Sequence, residues 1–411
     1  MSELSVDSNL SSFINIQSYS SVDQTLKYLI AAIRSHLEMD VAFISEFSST
    51  HRIFRYIDSK SKNPIIKVGG SDLLEDSFCK RVVDNELPQI IQNAMEHPQT
   101  SELPVVHAIH LGAHISVPIT LESGEVYGTF CCFSHNPSWT LNERDLSMMR
   151  VFAAIAAKQI QNEILQSREN SKIVERIQSV LDSDALSIVY QPIYNLSTKK
   201  IVGFESLSRF NTLPDRTPDV WFKESAQVGL GIALEIKAVQ MALKALSVFP
   251  DNLYISVNLS PETILSGSID AVFENIPLER VILEVTEHAY VNHYGNLAQA
   301  INHLRDKKMW LAVDDAGAGF SSFRHILSLS PEVIKIDMSI TRDINTDRAR
   351  RALTSAFVGF SEETNCKIVA EGVETELELN ALKGLGVNFA QGYFVGMPMT
   401  MSEAMTTLSL Q

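Results

Sequence analysis

From Ala185 to Tyr393, short apolar runs alternate with stretches whose apolar residues recur every three or four positions. The runs read as strands and the periodic stretches as amphipathic helices. SIVYQPIYNL and KKIVGFESLS follow one another too closely for a parallel crossover, which needs about a dozen residues, so they are expected to pair as an antiparallel hairpin. Every later connection is long. LYISVNLS, RVILEVTE, WLAVDDAG, VIKIDMS, KIVAEGVE and VNFAQGY are separated by helical segments such as GIALEIKAVQMALKALS and RARRALTSAFVGFSEE. This alternation, sustained over roughly 210 residues, predicts a TIM-like (β/α) barrel with an antiparallel first strand.

The first half has a different rhythm and predicts a separate mixed α/β unit. Helical periodicity runs from Val22 to Leu37, VAFISEF and FRYIDSK read as strands, and AHISVPITLESGEVYGTFCCF reads as a hairpin turning at Glu122, Ser123 and Gly124. A helix starting near Asn142 carries Phe152, Ala156, Ile160 and Ile164 on one face. After a polar interval from Ser167 to Lys172, a second series follows with Ile173, Ile177 and Val180 or Leu181. The pattern lacks the sustained heptads of a coiled coil but suits a helix through which two copies of the chain dimerise. The expected division is a polar segment over 1–19, an α/β domain over 20–165, a helical linker over 166–183 and the barrel over 184–411.

Composition narrows the function. A chain of 411 residues with 45% hydrophobic and 20% charged residues has material for two globular cores. The net charge of −15 argues against an extended surface for DNA, which needs clustered Lys and Arg. Cys79, Cys131, Cys132 and Cys366 show neither metal-ligand spacing nor a disulfide framework, which favours a reducing compartment. MSELSVDSNLSSF lacks the pattern of a secretory leader, and VFAAIAA is far short of the roughly 20 residues that span a bilayer. The expected location is the cytoplasm, with no membrane partner.

The chemistry gathers at the ends of the predicted barrel strands. Glu205, Asn258, Glu284, Glu287, Asp314, Asp315, Lys335, Asp337, Glu371, Glu374 and Gln391 all fall at or just after a strand. Any one of them also fits a helix N-cap or a surface ion pair. Together they converge, because the C-terminal ends of barrel strands share one mouth. Crowded carboxylates repel unless some are neutral or a cation sits among them, and a divalent metal is the simpler solution. Oxygen donors without a Cys or His cluster suit magnesium, manganese or calcium.

At these residues the sequence resembles the EAL family of cyclic di-GMP phosphodiesterases, from about Ala185 to Pro398. Tyr190-Gln191-Pro192, Gly203-Phe204-Glu205-Ser206-Leu207, Val257-Asn258-Leu259-Ser260, Glu284-Val285-Thr286-Glu287, Asp314-Asp315, Lys335-Ile336-Asp337, Ala370-Glu371-Gly372-Val373-Glu374 and Gln391-Gly392-Tyr393 stand in the family's order. The resemblance implies hydrolysis of one phosphodiester of cyclic di-GMP to linear pGpG with two Mg2+ or Mn2+ ions per active site. Glu205, Asn258, Glu284 and Asp314 would hold one ion, and Asp314 with Asp315 the other, helped by Asp337 or Glu371. Glu371 would be the catalytic base or water-orienting group and Lys335 would lie near the nucleophile. Glu287 would brace the Asp314 loop, while Gln191, Arg209 and Gln391 would contact substrate. Two departures stand out: Ser206 replaces the signature Ala, and Ala316 replaces the usual Phe after the paired aspartates.

The first half is similar to a GAF sensory domain over roughly 20–165, through VAFISEF, SFCKRVVDNELPQI, AHISVPI and EVYGTFCCFS. That implies an input domain for a small-molecule or other signal of unknown identity, and a homodimer as the assembly. Cys79 reads as a buried apolar cysteine, and His107, His110 and His114 as solvated or core histidines. The competing reading of the barrel is a receptor that captures cyclic di-GMP without cutting it and signals to a partner.

Overall fold

The computed structural model describes residues 22–285, 294–317 and 322–410 and divides into two compact units, meeting in sequence at Glu169 and Asn170. The first is built on an antiparallel sheet. Its strands are β1 (Val41–Phe47), β2 (His51–Ser59), β3 (Ser71–Leu73), β4 (Ile90–Ile91), β5 (Ala113–Thr120) and β6 (Val126–Ser134), in the order β3-β2-β1-β6-β5-β4. Alternation sends the two sides of each strand into different cores. Ala42, Ile44, Ile115, Val117, Phe130 and Cys132 pack with the helices Val22–His36 and Glu143–Asp182, whereas Val41, Phe43, Cys131 and Phe133 pack beneath the short helix Phe78–Val83. Cys79 and Cys131, 52 positions apart, meet with sulfur atoms 3.1 Å from one another.

The second unit closes into a barrel of β7 (Leu186–Asn195), β8 (Lys200–Phe210), β9 (Tyr254–Asn258), β10 (Val281–Val285), β11 (Trp310–Ala316), β12 (Val333–Ile336), β13 (Lys367–Ala370) and β14 (Phe389–Ala390). β7 runs antiparallel to both neighbours, β8 and β14, and the other pairs are parallel. The fold is therefore a mixed α/β unit followed by a TIM-like barrel with an antiparallel first strand. Ile193, Ile282, Ala312, Val333 and Val369, one from each of five strands, fill the lumen.

The structure differs from the sequence pattern at the junction. The polar interval Ser167 to Lys172 does not interrupt the helix, which is continuous from Glu143 to Asp182. Gln, Arg, Glu and Lys are good helix formers, so a polar stretch leaves the backbone helical while removing the apolar face. Beyond it, Ile173, Ile177 and Val180 are buried against Leu186, Trp221, Leu234 and Ala238, so this part of the expected linker packs as barrel structure. Among the described residues no helix is long and apolar enough to cross a membrane.

Candidate active site

A period-two rule carries side chains to the barrel mouth. Ile282 precedes Glu284 by two residues, as Ala312 does Asp314, Val333 Lys335, Val369 Glu371 and Phe389 Gln391, so an apolar lumen residue lies below each polar one. On β8 that lower position is Gly203, where a Cβ would lie 2.5 Å from the Tyr254 ring. Glycine there lets Tyr254 fill the floor under Glu205.

β11 breaks the alternation, and this answers how adjacent aspartates share a site. Its register against β12 slips between Val313 and Ala316, and Asp315 takes a left-handed φ of 54°. Such a bulge redirects a side chain that would otherwise face away, and aspartate tolerates the conformation better than most residues. Oxygen atoms of Asp314, Asp315 and Glu371 then lie within 4.8 Å of one another, as do those of Glu205, Glu284 and Asp314. Asp314 belongs to both groups.

Lys335 is buried at the centre. Its Nζ lies 3.1 Å from Glu205, 2.9 Å from Glu284, 3.0 Å from Asp314 and 2.7 Å from Glu371. Burial lowers the affinity of this amine for its proton, but the four carboxylates outweigh it and hold the ammonium charged well above the ordinary lysine range. Glu205 is also raised by burial, yet Lys335 and hydrogen bonds from Gln391 at 2.6 Å and Asn258 at 3.1 Å bring it below the usual carboxylate range. Glu284 goes the other way: burial, then Glu205 and Asp314, lift it to about 8 against the pull of Lys335 and a hydrogen bond from Ser256. Burial likewise raises Asp314 and Glu371, the latter well above its ordinary value with Asp314 as the next cause.

The donor set fits hard divalent ions. Five carboxylates and the Asn258 amide face a single buried ammonium, which leaves excess negative charge in a water-poor site, and every donor is oxygen. Gln191 and Gln391 are joined at 3.1 Å beside Glu205. Arg209 stands apart from the carboxylates, its guanidinium on the Ser208 carbonyl at 2.8 Å. Asp337 belongs to neither oxygen group; its Oδ1 accepts from Ser339 N at 2.9 Å and caps the helix Met338–Thr341. Glu374 is on Arg342, and Glu287 lies outside the described residues. Sequence reasoning missed Ser256, the Glu284 partner, although its position two residues before Asn258 on β9 was the available signal.

A cavity of about 560 Å3 adjoins this mouth, lined among others by Ser206, Arg209, Phe222, Lys223, Glu235 and Asn258. Ser206 donates to the Ser256 carbonyl at 2.7 Å, a bond the usual alanine cannot make. Ala316 is wholly buried in the core.

Comparison with known proteins follows the same division. The EAL domain family matches residues 174–398, and the GAF domain family residues 21–160. The probable cyclic di-GMP phosphodiesterase PdeD of Escherichia coli (strain K12) is 29% identical over 223 residues, 52% of this chain and 41% of that protein. The cyclic di-GMP phosphodiesterase PA2567 of Pseudomonas aeruginosa is 27% identical over 250 residues, 57% of this chain and 42% of that protein. The chain thus spans less than half the length of either curated relative. Among solved structures, the PaMucR phosphodiesterase in complex with c-di-GMP aligns with a TM-score of 0.52 and 26% identity, covering 57% of this chain and 99% of that one. The chain belongs to the EAL domain family and carries a GAF domain ahead of its barrel.

Proposed function

We propose that this protein hydrolyses one phosphodiester of cyclic di-GMP to linear pGpG, with two Mg2+ or Mn2+ ions in the barrel mouth and the GAF domain as regulator. The observation that carries the reading is the pair of oxygen groups sharing Asp314 around a buried lysine. The names of PdeD and PA2567 support the substrate. Glu205, Asn258, Glu284 and Asp314 would hold one ion, and Asp314, Asp315 and Glu371 the other. When bound, such ions lower the pKa of a water and offset charge on the leaving oxygen.

The chain's own residues supply the rest. Glu371, grouped with Asp314 and Asp315, would orient the attacking water or take its proton as the new P–O bond forms. The P–O3′ bond breaks, leaving a 5′-phosphate and a free 3′-hydroxyl, so the proton balance closes on the departing oxygen. Lys335 fixes Glu371 at 2.7 Å and keeps the carboxylates from turning away from the mouth. Gln191 and Gln391 offer amide groups to the substrate, and Arg209 at the cavity edge suits a phosphate or guanine acceptor. A homodimer and a small-molecule signal at the GAF domain complete the proposal.

The test is incubation of the full chain with cyclic di-GMP and Mn2+, with separation of products. Formation of pGpG, abolished by Glu205→Gln, is expected. Tight binding of cyclic di-GMP without turnover would overturn the enzyme reading and favour a receptor. A chain comprising residues 170–411, compared with the full chain, tests regulation: unchanged rates and ligand response would remove the GAF domain from control.

A further inference from the structure

The GAF unit contains a second cluster that the barrel chemistry does not use. Cys79 comes from the helix Phe78–Val83, His114 from β5 and Cys131 from β6, and a ligand atom of each lies within 4.8 Å of the others. The pleat explains the meeting: Ser116 pairs with Cys131 and His114 with Phe133 across β5 and β6, so His114, Ser116 and Cys131 share the sheet face that the Cys79 helix covers. Both cysteines have no exposed surface and His114 is 3% exposed. His114 Nδ1 has no hydrogen-bond partner, and a buried imidazole nitrogen left unpaired calls for a missing ligand.

The surroundings hold the two sulfurs in polar contacts, with the one charged partner on Cys79. Arg52 Nη1 donates to Cys79 Sγ at 2.9 Å, and its other nitrogens are held by both carboxylate oxygens of Asp72. Ser116 Oγ lies 3.0 Å and Thr129 Oγ1 3.2 Å from Cys131 Sγ. Arg52 donates to Cys79 and Thr129 accepts from the Cys131 thiol, and such polar contacts around ligand sulfurs orient them, as the outer layer of a metal site does. The sulfurs themselves are 3.1 Å apart. Tetrahedral zinc with bonds of about 2.3 Å holds two sulfurs about 3.7 Å apart, so binding needs a small opening of the pair as the shared thiol proton leaves.

We infer that Cys79, Cys131 and His114 form a binding site for a thiophilic divalent cation of the zinc class, buried in the core of the GAF unit. Its ligands set it apart from the barrel mouth, whose all-oxygen donors take harder ions. It ties the short covering helix to the central sheet strand β6, so occupancy stabilises the unit.

The test uses the full chain, purified with reductant and stripped of metal, and titrated with Co2+. A sulfur-to-cobalt charge-transfer band growing to one equivalent is expected, because the barrel carboxylates cannot produce it. It should persist in Glu205→Gln and disappear in Cys131→Ser. Zinc should displace the cobalt and bleach the band. Should Cys131→Ser fail to fold, metal analysis of Glu205→Gln decides: one retained zinc per chain supports the site. A folded, reduced wild-type chain that shows no band and no retained zinc overturns the inference, as does a Cys79–Cys131 disulfide found in the metal-free protein before any reductant is withdrawn.

Discussion

Glu284→Gln removes one negative charge from the barrel mouth but keeps a single acceptor oxygen where Glu284 uses two, Oε1 for Ser256 and Oε2 for Lys335. In the metal-free protein Glu284 is lifted from 4.5 to about 8 by burial and by Glu205 and Asp314. A carboxyl raised on folding stabilises the protein least where the unfolded chain would already have lost the proton. Its penalty is absent below 4.5, grows with pH and levels off above about 8. At pH 7 the difference of roughly 2.5 units corresponds to about 3 kcal/mol. For a barrel of this size that is a shift of roughly 6 to 12 °C in the barrel's thermal transition. Scanning calorimetry in chelator at pH 5, 7 and 8.5 reads it directly. Wild type should lose stability steadily across this range, whereas Glu284→Gln should start no more stable, having lost one acceptor, and hold level so that it ends more stable. Added Mn2+ should raise the wild-type transition more than that of the variant. A variant less stable than wild type at pH 8.5 in chelator would refute the charge reasoning.

Gly317 has φ of 103°, and a Cβ there would lie 2.1 Å from Ile340 Cδ1, so Gly317→Ala should move the Asp314–Asp315 bulge and lower the Mn2+-dependent initial rate by at least roughly tenfold. Arg280 donates to the carbonyls of Leu246, Phe249, Pro250 and Leu253, and Arg280→Met should cost at least about 3 kcal/mol, read as a lower urea midpoint for the barrel. Glu378 accepts from the backbone of Asp343, Glu374 and Thr375; burial raises its pKa but these donors bring it below 4.5. Glu378→Ala should therefore cost about 1–2 kcal/mol at neutral pH, and calorimetry should show the gap closing as pH falls through that lowered value.

Much of the barrel was legible because its strands are short, apolar and separated by strongly periodic helices. The leading hairpin, the carboxylates at the mouth and the proximity of Asp314 and Asp315 followed from strand order and position. Features that depend on three dimensions did not. The bulge that turns Asp315 inward has no local signature beyond the neighbouring glycine, and Asp337 carries the same sequence context as the acids grouped at the mouth while its side chain caps a helix. The two-residue strand β4 and the three-residue β3 are too short to show alternation. The meeting of Cys79, His114 and Cys131 is a product of sheet register, invisible in their spacing.

The helix Glu143–Asp182 ends in a socket. Lys237 donates to the carbonyls of Val180, Leu181 and Ser183, Arg176 and Arg216 both grip Glu224, and Ile177 is sealed against Trp221. Glu224 and Trp221 belong to the helix Pro218–Gln227, which also presents Phe222 and Lys223 to the cavity beside the carboxylates. The end of the helix is keyed to that wall, so it cannot twist in its seat without dragging one side of the cavity with it.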